Sequence, residues 1–108
     1  MGLNPPSLGY ILGIGGIAMA NFACLLDDAG YEVIGSDRGV YPPAKDLLDH
    51  QGIPYRVGYD ASKLLSIVPR VDFCVLGNSV SFGNPELEVF LNHKTPVFSL
   101  PEAIRMFL

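Results

Sequence analysis

The stretch from Gly9 to Ala20 constrains the fold of this chain more than any other. It begins with a short apolar run, Tyr10 to Ile14, is interrupted by glycines at positions 13, 15 and 16, and continues directly into a helical pattern. A strand that enters a helix through a tight glycine turn exposes backbone N–H groups at the positive end of the helix dipole, where they can bind a phosphate. The sequence therefore predicts a strand–turn–helix unit with an anion-binding turn.

Length and composition indicate one domain with a substantial core. The chain has 108 residues, of which 49% are hydrophobic and 17% charged, so it is long enough to bury a core without disulfides or metals. Its net charge of -4 argues against a nucleic-acid partner. An anionic ligand would therefore have to be held by backbone amides and helix ends.

The cysteines and the longest apolar stretch indicate neither a metal nor a membrane. Cys24 and Cys74 each lack a second Cys or His at metal-ligand spacing, so we expect core thiols in a reducing compartment. Glycines interrupt the apolar stretch from Leu8 to Leu26, and no Lys or Arg precedes Arg38. We therefore expect no membrane span and no signal peptide.

Strands and helices are predicted to alternate along the chain. After a flexible lead-in over residues 1–8, one domain is expected over residues 9–108. The predicted strands are Tyr10–Ile14, Tyr31–Gly35, Ile53–Val57, Val71–Leu76 and Pro96–Ser99. Helices fall between them, with short connections. This alternation is typical of a parallel sheet covered on both faces, and it predicts a Rossmann-like three-layer α/β/α fold with a five-stranded sheet.

Proline indicates the strand order and thereby the place of a ligand site. Pro54 and Pro96 fall in the third and fifth strands, and proline is tolerated at sheet edges, so the order 3-2-1-4-5 is predicted. Ligands of such sheets bind beyond the carboxyl ends of the strands, at the point where the strand order reverses. Three segments should therefore meet in one pocket: Gly13–Met19, Ser36–Asp37 and Asn78–Ser79.

The helix patterns predict which face of each helix is apolar and where the helices begin and end. The first helix is predicted to bury Ala18, Phe22, Leu25, Leu26 and Ala29, and the last to place Ala103, Ile104, Phe107 and Leu108 on one apolar face. Gly30 and Gly52 are predicted helix stops. Asn84 should cap a helix that begins at Pro85, with Glu86 near its positive end.

The spacing of small residues and one acid fits several nucleotide-binding functions. Gly13, Gly15 and Ala18 satisfy the G-x-G-x-x-G/A pattern, and Asp37 follows at about the distance of a ribose-binding acid. These residues are equally consistent with an NAD(P)- or FAD-binding domain of an oxidoreductase. A regulatory nucleotide sensor complete at this length, and a glycine turn that only allows close packing, also remain open.

No catalytic residues or metal ligands are recognisable. Lys94–Thr95 is preceded by His93 where a P-loop needs glycine, so ATP is not expected to bind there. Ser79 and Ser81 lack a paired base. His93 and His50 fall in last helical turns, where a cation suits the dipole. We therefore predict a binding site without catalytic groups or a cofactor in this domain.

The glycine turn is more specific than a generic nucleotide fold. Gly13–Met19, with the doubled glycine at Gly16 and Met19 after it, resembles the first loop of the Mur ligases, the amide-forming enzymes of peptidoglycan synthesis. Gly35–Asp37 is similar to the family's second-strand corner, and Asn84–Leu87 to its fourth-helix start.

Further residues resemble one subfamily, the ligases that recycle murein peptides. The segments that carry this likeness are Tyr41–Pro43, Gly58–Ser62, Gly77–Ser79 and Gly83–Pro85. The alternative is the UDP-N-acetylmuramate:L-alanine ligase subfamily, which typically shows His at the position of Tyr59 and a Ser-Ser pair near Asn78–Ser79.

The resemblance covers Gly9 to Leu108 and only the first of the family's three domains. It implies a domain that binds the uridine diphosphate end of UDP-N-acetylmuramate in a bacterial, cytoplasmic enzyme. The implied contacts are backbone amides of Gly13, Gly15, Gly16, Ile17, Ala18 and Met19 for the diphosphate, Ser36 and Asp37 for the uridine, and Asn78 and Ser79 for the diphosphate from the opposite side. The central ATPase domain with its Mg²⁺ ligands and the C-terminal domain are absent, so the fragment is expected to bind substrate without being active alone.

Overall fold

Five parallel strands form a single sheet in the order β3-β2-β1-β4-β5 in the computed structural model, which describes residues 3–108. The strands are β1 (Leu8–Leu12), β2 (Glu32–Asp37), β3 (Tyr55–Val57), β4 (Phe73–Leu76) and β5 (Val97–Ser99). The α-helices are α1 (Ile17–Asp28), α2 (Ala44–Gln51), α3 (Pro85–Asn92) and α4 (Leu100–Phe107), with short 3₁₀ turns at Ala61–Lys63 and Val68–Arg70. The predicted fold class and strand order are confirmed.

The two edge strands are β3 and β5, as the positions of Pro54 and Pro96 predict. β3 pairs with β2, and β5 pairs with β4, so each has one neighbour in the sheet. Pro54 and Pro96 lie immediately before these strands, where the missing N–H costs no ladder hydrogen bond. The carbonyl of Pro96 still takes part, because it accepts from the N–H of Cys74 at 2.8 Å.

A hydrophobic core lies on each face of the sheet. On the side of α1, α2 and α4, the rings of Phe73 and Phe107 stack with centroids 4.1 Å apart, and Tyr31 meets both edge-on. On the side of α3, Tyr10 packs against Phe90 with centroids 5.0 Å apart. The sheet is therefore the middle of three layers.

The first strand lies two residues earlier than the periodicity predicts. It ends at Leu12 because Gly13 has a φ of +86° and turns the chain, while the N–H groups of Gly13 and Ile14 both donate to the carbonyl of Ser36. It begins at Leu8, whose N–H donates to the carboxylate of Asp72 at 2.8 Å. Leu8 therefore belongs to the sheet and not to the lead-in; residues 1 and 2 lie outside the described part.

The other strands also differ from the prediction at some of their boundaries, by one or two residues. β2 is Glu32–Asp37, one residue later at its start and two at its end than predicted, which leaves Asp37 at the carboxyl end of the strand as expected. β4 begins at Phe73, because the preceding residues form the 3₁₀ turn and Asp72 pairs with β1. β5 begins at Val97.

The predicted faces of α1 and α4 are only partly right. α1 buries Met19, Ala20, Phe22, Ala23 and Leu26, whereas Leu25 is 52% exposed and Ala18 and Ala29 face outward. α1 is apolar nearly all round, so its periodicity does not define one face. In α4, Ala103 and Phe107 are buried, whereas Ile104 and Leu108 are exposed.

The predicted helix ends are confirmed. Gly30 follows α1 and Gly52 ends α2, at φ values of 97° and 74°. The side chain of Asn84 accepts from the N–H groups of Glu86 and Leu87, and Pro85 is the first residue of α3. None of the helices in the described residues is long and apolar enough to cross a membrane.

Candidate functional site

The glycine loop between β1 and α1 is enclosed by two other segments. The N–H of Gly15 donates to Oδ2 of Asp37 at 2.8 Å. A Cβ at Gly15 would lie 2.5 Å from the carbonyl oxygen of Gly39, and one at Gly13 would lie 3.2 Å from Cγ2 of Val80. The loop is therefore wedged between the end of β2 and the segment after β4, and Gly15 in particular has no room for a side chain.

The start of α1 offers unpaired backbone donors. Gly16 caps the helix in an extended conformation without a side-chain hydrogen bond, and the first intrahelical bond runs from the N–H of Ala20 to the carbonyl of Gly16. Within residues 3–108, the N–H groups of Ile17, Ala18 and Met19 have no hydrogen-bond partner. Because the helix dipole adds positive charge at this end, an anion would be stabilised here.

A cleft of about 540 Å³ lies beyond the carboxyl ends of the strands. Its walls are Asp37 and Arg38 after β2, Tyr59 after β3, and the segment 79–85 between β4 and α3. Residues 13–19 are not among those that line this cleft. The glycine loop adjoins it through two contacts, since Gly15 is bonded to Asp37 and Gly13 lies beside Val80, and both of these partners line the cleft. The site is therefore at the reversal of strand order between β1 and β4.

The predicted site residues do not all take the positions expected. Asp37 and Ser79 line the cleft. Asn78 is exposed at the start of the same loop but is not part of the cleft wall. Ser36 is fully buried and its hydroxyl donates to Oε1 of Glu86 at 2.6 Å, so its side chain does not reach the cleft. Its carbonyl instead supports the glycine loop.

Glu86 is the functional-site neighbour that the sequence analysis did not anticipate. It lies in the first turn of α3, as predicted, but its side chain is fully buried. Oε1 accepts from the hydroxyls of Tyr10 and Ser36, and Oε2 accepts from the N–H of Asp60. A sequence signal existed: Glu86 is four residues before Phe90, on the helix face that packs against the sheet.

Three further cleft residues were missed as site residues. Arg38, Tyr59 and Phe82 line the cleft, although none of them is among the predicted ligand contacts. Arg38 follows the carboxyl end of β2, and Phe82 lies in the loop after β4, so their place beyond strand ends was the available signal.

Burial and local charge favour the protonated form of two tyrosines near the site. Partial burial, with the negative charges of Asp37 and Glu86 next in size, raises the pKa of Tyr59 to about 12. Burial also raises the pKa of Tyr10 well above its ordinary value. Both hydroxyls therefore keep their protons at neutral pH. Arg38 brings positive charge to the cleft wall beside Asp37.

Comparison with known proteins places this geometry in a family. The profile described as "Mur ligase family, catalytic domain" matches residues 10–108. UDP-N-acetylmuramate–L-alanyl-gamma-D-glutamyl-meso-2,6-diaminoheptandioate ligase of Escherichia coli is 42% identical over 99 residues, which are 92% of this chain and 21% of that protein. UDP-N-acetylmuramate–L-alanine ligase of Xanthobacter autotrophicus is 35% identical over 102 residues, 93% of this chain and 21% of that protein.

A solved structure shows the same architecture. The crystal structure of UDP-N-acetylmuramate:L-alanyl-gamma-D-glutamyl-meso-diaminopimelate ligase from Neisseria superposes with a TM-score of 0.83 at 34% identity, covering 93% of this chain and 30% of that chain. The chain thus spans about a fifth of the length of the curated relatives it matches. With a family profile along nearly its whole length and relatives above 30% identity, the chain belongs to the Mur ligase family.

Proposed function

We propose that this chain is the UDP-N-acetylmuramate-binding N-terminal domain of an ATP-dependent ligase that returns murein peptides to peptidoglycan synthesis. The observation that carries the proposal is the row of unpaired N–H groups at Ile17, Ala18 and Met19, directly after the glycine loop whose Gly15 is bonded to the cleft residue Asp37. A diphosphate needs such donors in a chain whose net charge is negative.

The proposed ligand contacts use the hydrogen-bond donors and acceptors of the site that still have bonding capacity. The amides of Ile17, Ala18 and Met19 bind the diphosphate, and Ser79, with Asn78 beside it, approaches from the opposite wall. Asp37 accepts hydrogen bonds from the uridine, since a carboxylate has lone pairs beyond those used by Gly15 and Arg38.

The remaining predicted residues act indirectly in this proposal. Gly13, Gly15 and Gly16 give the backbone the room to approach the phosphates, because the N–H groups of all three are already bonded within the protein. Ser36 supports the loop through its carbonyl and its buried hydroxyl.

The rest of the reaction belongs to parts of the protein beyond this chain. The relatives are about five times longer, and we propose that a central domain binds ATP and Mg²⁺ and that a C-terminal domain binds the incoming peptide. In this proposal the muramyl carboxylate is activated as an acyl phosphate, the peptide amine attacks it, and the enzyme works in the cytoplasm. This domain alone binds the nucleotide sugar and carries no catalytic group.

The second candidate is the UDP-N-acetylmuramate:L-alanine ligase subfamily, favoured by the 35% identity to the Xanthobacter protein. Both candidates bind the same nucleotide sugar, so they predict the same cleft. The 42% identity to the Escherichia coli protein favours the murein-peptide subfamily, as does Tyr59, where the alternative subfamily typically shows His.

Calorimetric titration tests the proposal. UDP-N-acetylmuramate should bind with measurable heat, and NAD should give none. Binding of NAD with no response to the UDP-sugar would contradict the proposed ligand.

A further inference from the structure

The carboxylate of Glu86 is buried completely and accepts hydrogen bonds from three separate segments of the chain. Oε1 accepts from Tyr10 on β1 at 2.7 Å and from Ser36 on β2 at 2.6 Å. Oε2 accepts from the backbone N–H of Asp60 at 2.8 Å and lies 3.7 Å from Nη2 of Arg56 on β3. Both carboxylate oxygens are therefore engaged by donors from the sheet and from the loop after β3.

Three of the residues involved are each next in sequence to a residue that lines the cleft. Ser36 precedes Asp37, Asp60 follows Tyr59, and Glu86 itself follows Pro85. The walls of the cleft are formed by these segments: the end of β2, the loop after β3 and the loop before α3. The buried carboxylate of Glu86 therefore connects the segments that form all three walls.

A buried carboxylate is costly unless it is hydrogen-bonded, so its geometry is tightly constrained by its donors. The partner N–H of Asp60 would be left without an acceptor if the carboxylate moved. Asp37 in turn holds the N–H of Gly15, so the arrangement extends from Glu86 through β2 to the glycine loop.

We propose that Glu86 is a positioning residue of the nucleotide cleft: without touching the ligand, it fixes the three walls at the separation that the ligand requires. The identity of the ligand rests on the proposed function; the positioning of the walls does not. Tyr10 serves as an internal comparison, because its hydroxyl bonds to Glu86 and Arg56 but its own segment forms no part of the cleft wall.

The test compares Glu86→Gln with Tyr10→Phe in the whole chain, using UDP as the probe. Glutamine keeps the volume but removes the charge, and one of its ends is an NH2 group. Turned toward Tyr10 and Ser36, this group leaves both hydroxyl protons without their acceptor; turned toward Asp60, it opposes that N–H with another donor. We expect UDP affinity to fall about tenfold in Glu86→Gln. Tyr10→Phe should lower stability and leave UDP affinity within about twofold of the unsubstituted chain.

Amide hydrogen exchange supplies a readout that does not depend on ligand binding. In Glu86→Gln, exchange should accelerate at Asp60 and at Gly15, while the N–H of Tyr31, which donates to the carbonyl of Leu26 in the core on the other face of the sheet, keeps its protection. A purely structural role predicts accelerated exchange at all three amides together.

Ser36→Ala keeps the proposal testable if Glu86→Gln does not fold. It removes one hydrogen bond, that to the β2 wall, and should accelerate exchange at Gly15 without affecting Asp60. Equal losses of affinity in Glu86→Gln and Tyr10→Phe, or unchanged affinity and exchange in Glu86→Gln, would overturn the positioning role. If the unsubstituted chain does not bind UDP or its sugar, the proposed function fails while the exchange data still decide the role of Glu86.

Discussion

Oδ2 of Asp37 accepts a hydrogen bond from the N–H of Gly15 at 2.8 Å, which joins the end of β2 to the glycine loop at the border of the cleft. The other carboxylate oxygen accepts from the N–H of Arg38 at 2.6 Å. The acid is therefore held in place before any ligand binds. This arrangement gives Asp37 a double role in our account, since it orients the loop and offers its remaining lone pairs to the ligand.

Asp37→Ala should weaken binding of UDP-N-acetylmuramate by about tenfold or more, because it removes both the proposed ligand contact and the bond to Gly15. Calorimetry measures this change. Glu32→Ala is the matched control, since Glu32 is an exposed acid at the opposite end of the same strand. Equal affinities for the two variants would remove Asp37 from the site.

Two adjacent glycines should respond differently to alanine. At Gly15 the new Cβ would lie 2.5 Å from the carbonyl oxygen of Gly39 and 2.8 Å from Oδ2 of Asp37, so we expect a loss of about 1–3 kcal/mol in the free energy of unfolding. At Gly16 the nearest atoms are 3.7 Å away or more, and a change within about 0.5 kcal/mol is expected. Chemical denaturation distinguishes the two. Similar losses of stability at both positions would contradict the close packing of Gly15 against Gly39 and Asp37.

The last helix should contribute to stability through one ring. Phe107 stacks on Phe73 and meets Tyr31 and Phe98 edge-on, so Phe107→Ala should cost about 3–5 kcal/mol of unfolding free energy. Met106→Ala is the control on the same helix, because Met106 is 55% exposed, and it should change stability by less than about 0.5 kcal/mol. A small effect of Phe107→Ala would indicate that α4 is not docked as described.

The raised pKa values of Tyr59 and Tyr10 predict that the protein loses stability at alkaline pH. A tyrosine in the unfolded chain ionises near pH 10, whereas burial raises the pKa of Tyr59 to about 12 and that of Tyr10 further. Above about pH 10 the unfolded chain therefore binds fewer protons than the folded one, and the free energy of unfolding falls as pH rises. Denaturation curves from neutral to alkaline pH measure this slope.

Tyr10→Phe provides the control for the alkaline loss. Phenylalanine has no proton to lose, so the slope above about pH 10 should become shallower in this variant. Tyrosinate absorbance in the folded protein should also show fewer late-titrating groups. A slope unaffected by the substitution would contradict the assignment of Tyr10 as a buried, protonated hydroxyl.

The fold could be predicted because its signals are local. Gly13 and Gly15 mark the turn after the first strand, Gly30 and Gly52 end helices, and Pro54 and Pro96 identify the sheet edges. Each depends on backbone conformation near one residue, and each was confirmed. The buried face of α1 was predicted less well, because a helix that is apolar nearly all round takes its orientation from tertiary packing.

The site was only partly predictable, because its support is tertiary. Asp37 and Ser79 could be placed at the cleft from the strand ends alone. Whether the Ser36 hydroxyl faces the cleft or the core depends on Glu86, fifty positions further along the chain. The roles of Arg38 and Tyr59 likewise depend on the loops that surround them. Pairing between distant loops leaves no periodic trace in a sequence.

The most direct test of the central claim follows the backbone amides of α1 by nuclear magnetic resonance. Adding UDP should shift the amide signals of Ile17, Ala18 and Met19, because we propose that their free N–H groups bind the diphosphate. Uridine, which lacks the phosphates, should leave those signals in place and perturb the cleft wall around Asp37 and Tyr59. Shifts from UDP that spare Ile17, Ala18 and Met19, or equal shifts from uridine, would contradict the account.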